Sequence, residues 1–250
     1  MKKKNIILAG AMTAILAISG QFVQSDNFFG TKTVEAFGLG DIAKIGGKAL
    51  GVDVDQLEDK RQNMILNLAK AAICYGQSAI DVSEALDLNP EQLSQMKAAL
   101  TNLKSNRTDL GAMKQVGEST KMNQKDIEEK AQSLMDSNDQ EKIARANELI
   151  KKAKSERQAA NLYKIMAARD AGIIISGAAK AMVSSDSLGD KIAVVKDLSA
   201  VANTAKAVAD VIGNNHKVMT NALKTYEKKN NIPEVKDKDA DKLMKDVGLE

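Results

Sequence analysis

Alanine returns at almost every seventh position along one line of this chain: Ala146, Ala153, Ala160, Ala167, Ile174, Ala181. So small a side chain on one stripe of a helix lets a second helix axis approach closely. Nothing between 137 and 183 argues against a continuous helix, for there is no proline and only Gly172 and Gly177. A second line follows: Leu188, Val195, Leu198, Ala202, Ala205, Ala209, Ile212, His216, Met219, Leu223, Tyr226. After Val195 its steps alternate between three and four, which is the spacing of coiled-coil packing. Gly213-Asn214-Asn215 interrupts the composition without breaking the register. A helix of that extent is about 60 Å long.

Composition points the same way. Of 250 residues 35 are alanine, 3% are aromatic, and there is no tryptophan. Helix formers dominate, while the β-branched and aromatic residues of strands are scarce. With 44% apolar residues the chain is too hydrophobic to stay disordered. The fold expected is all-α: an elongated bundle of long antiparallel helices with coiled-coil-like, alanine-rich seams. Short links between long helices favour antiparallel neighbours.

Along the chain, residues 1–36 read as a secretory signal peptide. Lys2-Lys3-Lys4 precedes an apolar stretch from Ile6 to Ile18, shorter than the 20 or so residues of a membrane anchor. Cleavage fits near Ser19 or, slightly better, near Ala36. Residues 37–52 form a glycine-rich lead-in. Gly47-Lys48 is followed by Ala49, and position 42 is Ile42, so a phosphate-binding loop is not encoded. An N-terminal helical segment occupies 53–136. Its first helix runs from about Asp53 or Asp55 to Leu86 and is apolar most of the way round between Met64 and Ile80, as for a helix enclosed by others. Asn89 caps a second helix with Pro90 in its first turn and Gln92 completing a capping box. A short helix fits about Leu110–Val116, and another fits Gln124 to Met135. Residues 137–229 form a long helical hairpin, capped by Ser137 with Gln140 and turned at 184–190. A polar tail, 230–250, has room for one weak helix around Leu243, Met244 and Val247.

The chemistry available is sparse. The lone cysteine, Cys74, lies in an apolar helical context and reads as a buried core thiol. The lone histidine, His216, occupies a seam position, where it serves as a packed, hydrogen-bonded core residue or a pH-sensitive packing defect. One histidine and one cysteine are too few for a di-iron bundle or for a tetrahedral zinc site built from such ligands. Glu128 and Glu129 read as solvent-facing charges, and residues 136–139 lack the calcium-hand pattern. The basic run Lys151, Lys152, Lys154, Arg157 is offset by Glu148 and Glu156 and reads as a solvated face. Such interleaved charge with few aromatics disfavours nucleic acid.

No cofactor, metal or small-molecule substrate is therefore expected, and no catalytic residue. The function expected is that of an exported, non-enzymatic helical protein that binds or scaffolds in the bacterial envelope or outside the cell. A protein partner or self-association is the expected mode. The competing expectation is a membrane-active helical protein, pore-forming or lipid-binding, that uses a hairpin tip around 171–212. Its contact residues would be Ile173, Ile174, Ile175, Met182 and Val183. That stretch is too short to span a bilayer alone, and burial in the bundle is the simpler use of three consecutive isoleucines. An enzyme assembled from Asp, Glu, Lys and Tyr alone is the third and weakest reading.

Overall fold

A computed structural model describes the backbone of residues 54–184, 208 and 212–249, and the side chains of 59–174, 208 and 212–249. The signal peptide, the lead-in, the turn at 184–190 and the seam positions up to Ala209 lie outside the described residues. Within them the chain is all-helical, with seven helices and no strand. They are α1 (Val54–Ala85), α2 (Pro90–Ser105), α3 (Leu110–Ser119), α4 (Gln124–Met135), α5 (Gln140–Ser184), α6 (212–229) and α7 (Ala240–Asp246).

The helix ends follow local chemistry. Asn89 caps α2, accepting from the amides of Glu91 and Gln92, with Pro90 at the first position. The capping box is left open, however. Gln92 instead donates its amide to the Lys121 and Ser119 carbonyls, tying the start of α2 to the end of α3. At α5 the cap is Asp139, whose carboxylate accepts from the Lys142 amide at 2.9 Å. Ser137, the expected cap, accepts from the Asp139 amide one turn earlier. A carboxylate next to the free amides of a first turn outcompetes a hydroxyl placed farther away. Three helices close on a left-handed residue: Asp87 (φ 50°), Asn231 (φ 53°) and Gly248 (φ 74°). In each case the next amide reaches back five residues, as in Leu88 to Ser83, Ile232 to Glu227 and Leu249 to Met244. This satisfies carbonyls that the helix leaves free.

Contacts cluster into two units. In the first (1–65 with 166–207), Met64, Ala167, Ala171 and Ile174 are buried, and Lys60 pairs with Asp170 at 3.4 Å.

The second unit (66–165 with 208–250) is built around α1. From 71 to 83 every residue of that helix is buried except Gln77, as its all-round apolar character predicts. At Gly76 an added Cβ would meet Val116 Cγ1 at 2.9 Å and Leu100 Cδ1 at 3.3 Å, so α2 and α3 crowd this point of α1. Ser78 donates to the Ala153 carbonyl of α5 (3.0 Å) and touches Met219 Sδ of α6. The Ser83 hydroxyl lies 3.7 Å from both Met96 Sδ and Met122 Sδ. Tyr226 of α6 donates to Asn147 of α5, and Asn215 donates to the Gly117 carbonyl.

The short helix α7 is docked more firmly than a polar tail suggests. Ala240, Leu243, Met244 and Leu249 are buried. Asp241 accepts from both Lys70 (2.8 Å) and Tyr163 (2.7 Å), and these hold its carboxyl below the usual range. Lys70 also lies over the Tyr163 ring, 5.0 Å from its centre, a cation–π arrangement.

Candidate functional site

Four of the five seam positions with described side chains, Ala146, Ala153, Ala160 and Ala167, are buried alanines, and Ile174 is buried with them at 1% exposure. Residues three and four along from a seam position share its face. Beyond Ala146 and Ala160 those places hold Ile150 and Tyr163, which fill the core. Beyond Ala153 they hold Glu156 and Arg157. The helix that buries its alanines must bury these two charges with them: Glu156 is 0% and Arg157 3% exposed.

Around them stands a layer of charge inside the second unit. Arg157 donates to Glu227 of α6 at 2.6 Å, and Lys154 reaches the other oxygen of the same carboxylate at 2.9 Å. Lys154 also meets the exposed Glu234 at 3.2 Å. Two cations thus converge on Glu227. The other half has the reverse balance. Lys152 lies 3.0 Å from Asp81 Oδ2 of α1 and 3.5 Å from Glu156 Oε1, so one ammonium serves two buried carboxyls. Asp81 is further tied down by the Gln77 amide at 2.8 Å. Neither oxygen of Glu156 has a hydrogen-bond partner, and neither have Asp81 Oδ2, Tyr75 Oη and Arg157 Nη1. The 3.5 Å approach of Lys152 is a charge contact rather than an aligned hydrogen bond.

Burial without hydrogen bonds disfavours the charged form of a carboxyl. Desolvation, and next the charge on Asp81, push Glu156 up to about 8. Burial likewise raises Tyr75 and pushes the Cys74 thiol up to about 12. Cys74 is a buried core thiol as expected. His216 is half-buried; burial, and next the charges of Arg157 and Lys164, lower it to about 4, so it stands neutral.

Of the run Lys151, Lys152, Lys154, Arg157, only Lys151 is exposed as a solvated face requires; Lys152 and Lys154 are half-buried and Arg157 is buried. These last three are the cationic half of a buried network, a correction that the heptad position of Glu156 and Arg157 explains. Glu128 and Glu129, by contrast, are exposed as expected. They line an open groove of about 500 Å³ with Gln132, Asn221, Thr225 and Tyr226.

The five proposed contact residues are not all described. Ile173 is half-buried and Ile174 buried, while the side chains of Ile175, Met182 and Val183 lie outside the described residues. Among the described residues no helix is long and apolar enough to cross a membrane, and no group of three His, Cys, Asp or Glu could hold a metal ion. Compared with protein families, curated proteins and solved structures, the chain matches none of them.

Proposed function

We propose that this is an exported, non-enzymatic helical protein that binds or scaffolds in the bacterial envelope or outside the cell. The observation that carries the reading is the use of polar groups between helices. Glu227, Lys154, Arg157, Lys152 and Asp81 are spent on joining α1, α5 and α6. These side chains are engaged with one another between helices, and none of them is a nucleophile held beside a base.

The finer architecture belongs to the same proposal: antiparallel, elongated and seamed by alanine. Its support is the register between α1 and α5. Asp87 meets Lys142, Asp81 meets Lys152, Ser78 meets Ala153 and Lys70 meets Tyr163, so one number falls as the other rises. Long alanine-lined seams and nearly balanced charge also favour self-association, with another copy or a second protein as partner.

Three measurements test this. Mass analysis of the secreted chain should show a new N-terminus after Ser19 or Ala36. Sedimentation at tens of micromolar should show a species heavier than the monomer. In liposome flotation the chain should stay at the bottom of the gradient. Co-flotation, with dye release that Ile174→Asp abolishes at unchanged thermal stability, would replace the proposal by membrane action through 171–212.

A further inference from the structure

The two halves of the buried network carry unequal charge. Around Glu227 there are two cations for one half-buried carboxylate, whereas around Lys152 there are two buried carboxyls for one cation. Lys152 lies closer to Asp81, as an ion pair on Oδ2, while Asp81 Oδ1 accepts from Gln77. Glu156 keeps only the longer contact, and both its oxygens are without hydrogen bonds at zero exposure. Ionised, it would hold a desolvated charge against Asp81. Protonated, it is neutral, and its new O–H can donate to a neighbouring acceptor.

We propose that Glu156 is a built-in proton-binding site: the second unit folds around a neutral Glu156, and loss of its proton loosens the junction of α1, α5 and α6.

The groups facing it are Asp81 and Cys74 of α1, and Lys152 and Arg157 of its own helix. Behind Arg157 stand Tyr75 of α1, and Glu227 and His216 of α6. Arg157 is committed to Glu227, so its attraction reaches Glu156 without a hydrogen bond. The sign follows from linkage. An unfolded glutamate ionises near 4.5 and this one at about 8, so between those values only the folded chain holds the proton. Stability is then greatest at the acid end, falls as pH rises through the interval, and levels above it. His216 works in reverse: unfolded it titrates near 6.5 and folded at about 4, so its contribution is lost on acidification over that range. The two oppose one another between about 4.5 and 6.5, leaving Glu156 alone in control from 6.5 to 8.

The test is thermal unfolding of the full chain and its Glu156→Gln variant from pH 6 to 9. The wild type should lose Tm between pH 6.5 and 8 and then level off. The glutamine variant, an uncharged isostere, should be flat over that interval and match or exceed the wild type above pH 8. Refolding in weak buffer at pH 7.2 should take up nearly one proton more in the wild type than in the variant. Should the variant not fold, the carboxyl carbon of Glu156, followed by NMR in the wild type, decides alone. A titration midpoint above 7 supports the site. A signal already ionised at pH 6, or a variant with the wild-type pH slope, overturns it.

Discussion

Helices α1 and α5 both bury residues in the interior, and by opposite chemistry. Between 71 and 83 α1 presents small and apolar residues in almost every direction, with Gln77, Ser78, Asp81 and Ser83 as polar interruptions that each find a contact. In α5 the buried face is narrow, and beside its alanines it takes in Glu156 and Arg157. Burial in α1 follows hydropathy, whereas in α5 it follows position on the helix. A seam of alanine draws two axes together whatever stands at the places in between. Charges caught there must then be paired or neutralised.

The sharpest way to break this contrast is Glu227→Gln. It strips the carboxylate from both Arg157 and Lys154, leaving a buried guanidinium without its partner. A loss of about 3–5 kcal/mol in chemical denaturation is expected. Ala153→Leu tests the other property of α5 by adding bulk where Ser78 of α1 reaches the Ala153 carbonyl. Overpacking of this kind should cost about 1–3 kcal/mol.

The pH response separates the two titrating groups. In His216→Gln the opposing term disappears, so stability should fall steadily as pH rises from 4.5, by at most about 1.4 kcal/mol per unit. A wild-type curve of that same shape would remove His216 from the balance. At the α2 cap, Asn89→Ala should cost about 1 kcal/mol, read as a small drop in Tm. Least of all should come from Lys97→Met, which breaks the pair with Glu84. Both partners are partly exposed, so a change of no more than about 0.5 kcal/mol is expected.

Much of this arrangement was legible in the residues, because its determinants are local. Asn89-Pro90 and the polar interval after Ser105 place the ends of α2, and Gln124 to Met135 is recovered residue for residue as α4. The apolar girth of α1 and the alanine line of α5 were visible as periodicity. The charged network is not legible from residue type, because Lys and Glu are solvent-seeking side chains. Weighed by register, Glu156 and Arg157 fall three and four residues past Ala153, on the seam face. Asp170, three past Ala167, is buried for the same reason. The docking of α7 was hidden for another cause: Asp241 finds Lys70 and Tyr163 171 and 78 residues away, a pairing no local pattern announces.

Three hydroxyls of this interior touch sulfur: Ser83 on Met96 and Met122, Ser78 on Met219, Tyr163 on Met244. Peroxide converts a thioether to a sulfoxide, larger and far more polar. Among these four, Met122 is the half-exposed one, and it shares Ser83 with the buried Met96. A sulfoxide there can take the Ser83 proton in a stronger bond and still turn its oxygen toward water. The same oxygen on Met96, Met219 or Met244 would have to enter filled space. Of these four sulfurs one stands at the rim and three lie covered behind it.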